Sequence, residues 1–560
     1  MNGPHAHSRP LPSDTRKAPH LGHRSGDPAP IGAPSEVDSD ARPEVAGAPR
    51  AAANGGASIT RPAGDDDEAV RAKMRTDRQR EVVQALMATL PAHCLLYRDE
   101  DTAPYECDGL SVYRELPLAV ALPETESQVQ RIVQICRRLG VPVVPRGAGT
   151  GLSGGATPIA QGIVISLSRF TKILDIDPYG RTATVQPGVR NLAVSEAAAP
   201  YGLYYAPDPS SQIACTIGGN VSENSGGVHC LKYGLTVHNV LRVRAVTMDG
   251  EIVEFGSLAP DAPGLDLLAV MIGSEGMFAI VTEVTLKLIP KPTTAQVVMA
   301  SFDDVVKGGD AVAAIIASGI IPAGLEMMDK PATRAVESFV GAGYDLDAAA
   351  ILLCESDGTP EEVAEEIVRI TAVLREHGAT RLQISRTDAE RLKFWSGRKN
   401  AFPAAGRLAP DYYCMDGTVP RRSIGPLLAR IEEMEATYGL ACINVFHAGD
   451  GNMHPLVLFD GNDPDQLHRA EAFGAAILEC CVELGGTVTG EHGVGIEKLN
   501  SMCVQFSPAE REAFFAVKRA FDPAELLNPT KGIPTRARCA EYGKMHVRGG
   551  LLPHPELPRF

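Results

Sequence analysis

Five glycines fall within the eleven residues 145–155, PRGAGTGLSGG. Glycine adopts positive φ and lets other groups approach the backbone closely, so successive N–H groups of such a loop can point at a phosphate. A strand-like run, GIVISL at 162–167, follows the loop in place of a helix. This order argues against the GxGxxG start of a Rossmann unit, and the lack of Gly-Lys-Ser/Thr argues against a P-loop. Glycines in a bare turn are the alternative, which their density disfavours.

The loop stands at the end of a predicted β-α-β unit. A strand at 119–122 precedes a helix that Thr125 opens, and the apolar spacing of Val129–Leu139 leads to Gly140, a typical residue just after a helix end. A second strand is predicted at 141–144. Further β-rich runs lie at 162–167, 183–188, 243–255 and 278–288.

Pro290 and Pro292 end this first part of the chain. From about 294 to 440, strand-like and helix-like runs alternate, which predicts a second domain of α+β type. Residues before Thr76 are rich in Pro, Gly, Ala and charge and show no periodicity, which predicts a disordered extension. Asp249-Gly250, between two β-rich runs, predicts a hairpin.

Composition narrows the class of partner. The 560 residues carry a net charge of −16, whereas nucleic-acid binding needs a basic footprint, so we expect no nucleic-acid partner. No apolar run reaches the roughly 18 residues of a membrane span, and the N-terminus lacks the apolar region of a signal peptide. The twelve cysteines include no CxxC pair, which argues against an iron–sulfur cluster on this chain. We expect a cytoplasmic protein.

Two more glycine-rich segments follow the first. APDPSSQIACTIGGNVSENSGG at 206–227 combines glycine with small hydroxyl and amide residues, and GSEGM at 273–277 precedes a predicted strand. Several such segments in one domain indicate a long ligand that carries both a diphosphate and a polar ring.

In this order the three segments resemble the FAD domain of the vanillyl-alcohol oxidase superfamily. The downstream segments resemble the family of bacterial glycolate oxidase D subunits, which is related to D-lactate and D-2-hydroxyglutarate dehydrogenases. The resemblance covers about residues 80–560. It is carried downstream by FWSGRKNAFPAAGRLAPDYYCMDGTVP, NVFHAGDGNMHPL, GEHGVGIEK and AFDPAELLNPTKGIP.

The resemblance implies an α+β fold with a two-subdomain, PCMH-type FAD-binding domain, an α+β (ferredoxin-like) cap domain, and a C-terminal helical segment that returns to the flavin. We therefore expect five regions: the disordered extension at 1–75, an N-terminal helical segment at 76–112, the FAD-binding domain at 113–292, the cap domain at 293–515 and the C-terminal segment at 516–560.

The resemblance also implies which residues bind FAD. Those of the first segment are Arg146, Gly147, Gly149, Thr150, Gly151 and Ser153. Those of the second are Pro207, Asp208, Ser211, Thr216, Gly218, Gly219, Asn220 and Ser222. Glu275 and Ile280 would close the site, and Asn528 would approach the flavin. Some members of the superfamily tether FAD through His or Cys, but residue 148 is Ala here and Cys215 is offset from the tethered pattern. We expect non-covalent FAD.

Two histidines, His447 and His454, flank a glycine turn, and Glu491 follows a later β run. Two imidazoles and a carboxylate suit a divalent metal, although structural histidines in a hydrogen-bonded turn are an open alternative. The resemblance implies that these three residues are ligands of a divalent metal (Zn, Mn or Fe). His492 is then the candidate base, and an exchange of roles between it and a ligand histidine stays open.

A 2-hydroxy acid also needs a cation for its carboxylate. Arg398 and Lys399 are the choices, and Arg398 is preferred because guanidinium binds carboxylate in a bidentate fork and because it matches the family position. A D-2-hydroxyglutarate relative has Lys near the position of Cys414, which disfavours a second substrate carboxylate here. Tyr412, Tyr413 and Met415 are expected to wall a small pocket.

The resemblance implies FAD-dependent oxidation of glycolate or a similar small 2-hydroxy acid, with hydride transfer from C2 to flavin N5. Electrons would pass to the respiratory chain through a second FAD-domain-like subunit and an iron–sulfur subunit. The complex would hold the chain peripherally at the cytoplasmic face of the inner membrane. The alternatives are a self-sufficient D-lactate or other D-2-hydroxy-acid dehydrogenase and a non-catalytic flavin-binding subunit.

Overall fold

Two sheets carry the glycine-rich segments, and a third, larger sheet carries the histidines. The structure is a computed structural model that describes residues 65–259 and 264–535. The first helix begins at Asp65, well before the predicted start at Thr76, because the residues in between lack the apolar periodicity that would mark a helix in the sequence. The rest of the predicted extension, and residues 536–560 of the predicted C-terminal segment, lie outside the described residues.

The first half of the chain forms seven of the described helices and eleven of the described strands. The helices are α1 (Asp65–Met87), α2 (Asp99–Thr102), α3 (Glu126–Leu139), α4 (Asn191–Ala198), α5 (Ile217–Glu223), α6 (Cys230–Tyr233) and α7 (Leu267–Met271). The strands are β1 (Leu95–Leu96), β2 (Ala119–Ala121), β3 (Val143–Arg146), β4 (Ile163–Ser166), β5 (Ile173–Asp177), β6 (Thr182–Val185), β7 (Leu203–Tyr204), β8 (Val240–Val246), β9 (Ile252–Gly256), β10 (Ile280–Lys287) and β11 (Ile289–Pro290).

The predicted β-α-β unit is present and starts the glycine-rich loop. The hydroxyl of Thr125 accepts a hydrogen bond from the Gln128 amide at the start of α3, and Gly140 ends the helix with φ 63°. Strands β2 and β3 both pair in parallel with β4, in the sheet order β1-β2-β4-β3. The strand β1 shows that the N-terminal helical segment adds an edge to this sheet. The loop therefore leaves the sheet at the end of β3.

The second sheet is antiparallel, in the order β5-β6-β10-β8-β9. The hairpin predicted at Asp249-Gly250 joins β8 and β9, and Gly250 has φ 81°, a conformation that glycine adopts without steric cost. Two sheets with helices against them form the predicted two-subdomain FAD-binding architecture.

The second half of the chain contains the remaining described elements. The helices are α8 (Val305–Ala317), α9 (Lys330–Val340), α10 (Pro360–Glu376), α11 (Asp388–Lys399), α12 (Ala401–Ala405), α13 (Ile424–Tyr438), α14 (Pro464–Glu483), α15 (Leu499–Gln505) and α16 (Pro508–Phe521). The strands are β12 (Thr294–Phe302), β13 (Gly324–Asp329), β14 (Ala350–Gly358), β15 (Arg381–Ile384), β16 (Asp411–Cys414), β17 (Cys442–Phe446) and β18 (Pro455–Phe459).

These seven strands form one sheet in the order β15-β12-β14-β13-β17-β18-β16, and every pair in it is antiparallel. Helices cover the sheet, and separate apolar cores lie on its two faces. This is the α+β cap that was predicted. None of the described helices is long and apolar enough to cross a membrane.

After the cap, the chain returns to the FAD-binding half. The amide of Asn528 donates to the carbonyl of Val143 at 2.7 Å, and the side chain of Lys518 donates to the carbonyl of Met277 at 2.6 Å and to Asp522 at 2.7 Å. The predicted boundary between residues 515 and 516 falls inside α16.

Candidate active site

A cavity of about 420 Å³ lies between the glycine-rich segments and the cap, a volume typical of small-molecule and cofactor sites. Its wall also includes Cys215, Glu223, Lys399 and Phe402. Most of the predicted FAD-binding residues line it. They are Arg146, Gly147, Gly149, Thr150, Gly151, Ser211, Thr216, Gly218, Gly219, Asn220, Ser222 and Glu275.

Two of the predicted cofactor residues, Ile280 and Pro207, do not line the cavity. Ile280 is fully buried in the core beneath the first sheet, whereas Ala279 and Val281 line the cavity, because adjacent strand residues face opposite sides. Pro207 also stays off the wall; its carbonyl accepts a hydrogen bond from Asn191 at 3.0 Å.

Three further predicted residues support the cavity from behind. Asp208 accepts hydrogen bonds from the backbone amide of His229 at 3.1 Å and pairs with its Nδ1 at 2.7 Å. The carbonyl of Ser153 accepts the amide of Ile496 at 3.0 Å. The Asn528 amide group donates to the carbonyls of Gly155 at 3.0 Å and Glu275 at 2.6 Å. Asp208, Ser153 and Asn528 therefore shape the backbone around the cavity and do not line it.

At two positions of the wall, Gly151 and Gly219, the described residues leave room for a side chain and so do not require glycine. A Cβ at Gly151 meets only Asp108 at 3.8 Å, and one at Gly219 meets only Thr216 at 3.4 Å, both at ordinary φ. A Cβ at Gly147, in contrast, would collide with Thr216 Oγ1, a buried oxygen that has no hydrogen-bond partner among the described residues. Open space beside the backbone together with an unsatisfied hydroxyl fits a bound ligand that approaches closely.

The cap brings the predicted metal ligands together. His447 follows β17, His454 precedes β18, and one ring nitrogen of each lies within 4.8 Å of the other and of a Glu491 oxygen. Glu491 Oε1 is 3.3 Å from His447 Nε2 and 3.1 Å from His454 Nε2. His454 and Glu491 line the cavity, while His447 lies behind them. Two imidazoles and a carboxylate that converge on one point fit a divalent metal.

Sequence reasoning missed Glu326, which connects this cluster to Arg398. Its Oε1 is 2.7 Å from His447 Nδ1, and its Oε2 accepts a hydrogen bond from Arg398 Nε at 2.5 Å. A carboxylate on the outer nitrogen of a metal-binding histidine fixes the orientation of its ring. Glu326 is 1% exposed and lies within an apolar strand, so the sequence offered no local signal for it.

The charges of this cluster reinforce one another. Burial disfavours the charged form of His447, but Glu326 and Glu491 outweigh it and raise the pKa of His447 well above its usual range. Burial likewise opposes ionisation of Glu491, yet His447 and His454 lower the pKa of that carboxyl well below its ordinary value. The site is therefore built to keep a carboxylate charged beside imidazoles.

His492 lies on the loop after Glu491, and its Nε2 is 3.8 Å from Glu491 Oε1. Burial lowers the pKa of His492 to about 4, so its ring is neutral near pH 7 and able to accept a proton. Asp416, a second residue that sequence reasoning missed, holds this loop: it accepts the amides of Gly490 at 3.0 Å and His492 at 2.9 Å. Burial disfavours the Asp416 carboxylate, but Lys498 and the nearby imidazoles keep its pKa below the usual range.

Arg398 and Lys399 differ from expectation in their access to the cavity. Lys399 is exposed and lines the cavity, whereas Arg398 is 2% exposed and does not line it. One terminal nitrogen of Arg398 has no hydrogen-bond partner among the described residues, so it keeps one donor beyond its pairing with Glu326.

Tyr412, Tyr413 and Met415 were expected to wall one small pocket, but they lie on two different faces of the sheet. Tyr413 and Met415 line a separate cavity of about 360 Å³ with Tyr113 and Glu471. Only Tyr412 faces the other side, where its ring packs edge-on against Phe402 of the active-site cavity at 5.8 Å. Successive side chains of β16 point to opposite faces of the sheet. The expectation that Tyr413 and Met415 share a pocket wall with Tyr412 was therefore wrong.

Comparison with known proteins agrees with this geometry. Residues 117–256 match the family model of an FAD binding domain, and residues 291–532 match that of the C-terminal domain of FAD linked oxidases. In solved structures, p-cresol methylhydroxylase has a similar fold, with a TM-score of 0.70, 20% identity and coverage of 82% of this chain and 97% of that one. The chain is therefore an FAD-linked oxidoreductase.

Similar sequences narrow the family. The glycolate oxidase subunit GlcD of Escherichia coli K12 is 60% identical over 86% of this chain and 96% of its own length, and that of Bacillus subtilis is 40% identical over 78% and 93%. A D-lactate dehydrogenase of Anaerostipes hadrus is 31% identical over 78% and 94%. The chain belongs to the glycolate oxidase D-subunit family.

The two glycines that face open space give a test of the cofactor site. We expect Gly151→Ala and Gly219→Ala to raise the Kd for FAD about 10- to 100-fold, because a methyl group forced into a close contact costs about 1–3 kcal/mol. Fluorescence titration of flavin into apoprotein measures this. Gly406→Ala, at an exposed glycine with φ −63°, is the control. Unchanged affinity in both cavity variants would contradict the assignment.

Proposed function

We propose that the chain oxidises glycolate, or a similarly small 2-hydroxy acid, to the 2-oxo acid with FAD as the oxidant. The observation that carries this proposal is the position of Glu491, His454 and His492 on the wall of the same cavity that the glycine-rich segments line. Groups that bind an alkoxide oxygen and accept a proton thus face the cofactor site. The names of the GlcD relatives support the choice of glycolate.

FAD is proposed to bind without a covalent bond. Ala148 removes one tether position, and burial raises the pKa of the Cys215 thiol, so this cavity-lining sulfur is a poor nucleophile. FAD, when bound, supplies flavin N5 as the acceptor for the hydride on C2. The glycines of both segments give its diphosphate access to backbone amides, and Asn220 and Ser222 add polar groups to the wall.

His447, His454 and Glu491 are proposed to hold a divalent metal, because one donor atom of each lies within 4.8 Å of the other two. A divalent metal, when bound, supplies a Lewis acid for the substrate hydroxyl. Glu326 orients the ring of His447 through its Nδ1. His492 accepts the hydroxyl proton, since its ring is neutral and it shares the wall with Glu491.

The substrate carboxylate is proposed to bind Arg398 through the terminal nitrogen that has no other described partner, with Lys399 at the cavity wall as a second cation. Cys414, in place of a third cation, favours a substrate with one carboxylate. A substrate with one carboxylate fits glycolate better than a dicarboxylic hydroxy acid.

Electrons are proposed to leave through partner subunits. The relatives are named as subunits, and this chain has no CxxC pair among its cysteines, so an iron–sulfur relay belongs to another polypeptide. We infer a complex with a second FAD-domain-like subunit and an iron–sulfur subunit, which holds the chain peripherally at the cytoplasmic face of the inner membrane. A self-sufficient D-lactate dehydrogenase is the second candidate, on the similarity to the Anaerostipes enzyme.

Anaerobic bleaching of the flavin tests the reaction. We expect glycolate to reduce the bound FAD faster than D-lactate, L-lactate or D-2-hydroxyglutarate, as followed by stopped-flow absorbance. Faster reduction by D-lactate would favour the second candidate. A chain that contains FAD and is reduced by no 2-hydroxy acid would refute the proposal.

Removal of one ligand tests the metal. We expect His447→Ala to lower the metal affinity at least about tenfold, since loss of even an outer partner of a ligand costs about 10–100-fold, while FAD content is unchanged. Metal analysis after dialysis against a graded chelator gives the affinity. His377→Ala, at a histidine whose Nδ1 contacts the carbonyl of Val373 at 2.9 Å in another part of the cap, is the control. Equal metal retention in both variants would remove the metal from the proposal.

Separate substitutions distinguish the two cations. We expect Arg398→Met to raise KM for glycolate about 10- to 100-fold, because a hydrogen bond to a charged group contributes about 1.5–3 kcal/mol, and Lys399→Met to raise it less. Arg407→Met, an exposed arginine over the Phe339 ring, is the control. If Lys399→Met has the larger effect, Lys399 is the carboxylate receptor and the preference for Arg398 was wrong.

A further inference from the structure

Cys414, the last residue of β16, brings a thiol to the histidines of the active site. A ligand atom of each of Cys414, His454 and His492 lies within 4.8 Å of the other two. The side chain of Cys414 is buried, and its thiol donates to the carbonyl of Met415 at 3.4 Å. This group is distinct from the set formed by His447, His454 and Glu491, and it shares only one residue with that set.

Two ring nitrogens of this group have no hydrogen-bond partner among the described residues. They are Nδ1 of His454 and Nδ1 of His492, both buried. His454 is 2% exposed, and its ring stacks on that of His492 at 4.9 Å and 12°. A buried polar atom without a partner costs about 1–3 kcal/mol, a cost that a ligand at these nitrogens would remove.

We propose that Cys414, His454 and His492 form a second metal site, selective for thiophilic divalent cations such as Zn²⁺ or Cd²⁺. The set at His447, His454 and Glu491 offers two nitrogens and one oxygen, whereas the second offers two nitrogens and one sulfur. Thiolate and imidazole ligands favour Zn²⁺, and a carboxylate makes the other set suitable for harder ions such as Mn²⁺. Sulfur thus distinguishes the two sets.

The charges around the sulfur favour a dication. Burial and the carboxyl groups of Asp416, Glu497 and Glu491 raise the pKa of the Cys414 thiol, against the single ammonium of Lys498, so the thiol keeps its proton until a cation replaces it. Binding exchanges one proton for the metal: the Cys414 S–H bond breaks, an S–metal bond forms, and the proton leaves to solvent. No oxidant or reductant takes part.

Occupation of this second site has a consequence for catalysis. His454 belongs to both sets and His492 is the proposed base, so a cation on Cys414 withdraws both from the reaction. Thiophilic cations are therefore inhibitors of the enzyme. This consequence rests on the proposed function, whereas the binding of the cation does not.

X-ray absorption of zinc added at one equivalent to the FAD-loaded protein tests the site. Glu491→Gln, which removes the oxygen ligand of the first set, should retain zinc with a sulfur neighbour at about 2.3 Å. Adding Cys414→Ser to this variant should leave only nitrogen and oxygen neighbours at about 2.0–2.1 Å or no bound zinc. Adding Cys442→Ser instead, a buried thiol on β17 that belongs to neither set, should leave the sulfur neighbour in place.

Loss of zinc from Glu491→Gln alone, or a sulfur neighbour that persists after Cys414→Ser or disappears after Cys442→Ser, would overturn the proposal. Flavin content reports that each variant is folded, and Cys414→Ala replaces Cys414→Ser if the serine variant lacks FAD. Because this readout needs no turnover, it decides the site even if no 2-hydroxy acid reduces the flavin.

Inhibition supplies the second readout. The zinc concentration that halves the rate of anaerobic flavin reduction should rise more than about tenfold in Cys414→Ser, since weaker changes around a metal ligand already cost about 10–100-fold in affinity. It should be unchanged in Cys442→Ser. Equal inhibition of the wild-type protein and Cys414→Ser would refute inhibition through this site.

Discussion

Two buried carboxyl groups hold the loop that follows Thr489. Asp416, from the cap, accepts backbone amides of Gly490 and His492. Glu275, from the FAD-binding half, accepts the amides of Val494 and Gly495, each at 2.7 Å. The loop that carries Glu491 and His492 is thus fixed from both sides, and because Glu275 also lines the cavity, it links the cofactor site to the cap. Burial opposes ionisation of Asp416, but Lys498 and the nearby imidazoles keep its pKa below the usual range, and an ionised acceptor forms shorter and stronger hydrogen bonds than a neutral one. Burial instead raises the pKa of Glu275.

The fold could be predicted from the sequence where it depends on signals from neighbouring residues. The threonine cap and the terminal glycine of α3, the hairpin at Asp249-Gly250 and the strand after the glycine-rich loop all follow from residues close together in the sequence. The start of α1 was missed because a helix without an apolar stripe leaves no periodic signal. The arrangement of the three larger sheets came from the resemblance to a family and not from the pattern of residues.

The candidate residues of the site could be named from the sequence, but the contacts among them could not. Histidines beside glycine turns stand out, whereas Glu326 and Asp416 are single acidic residues within apolar stretches, and their roles depend on partners more than 70 positions away along the chain. A second limit on prediction was that the sequence did not show which residues of a strand face which side of the sheet. Shifting by one residue exchanges the faces of a sheet, and this accounts for Ile280, Tyr413 and Met415, which lie on the sides opposite to those expected.

The return of the chain to the first sheet has a consequence for biosynthesis. Asn528 and Lys531 hold the carbonyl of Gly155, so the wall of the flavin cavity is completed by residues made nearly four hundred positions after the loop that they support. A ribosome that stalls within the cap releases a chain whose glycine loop lacks these two supports.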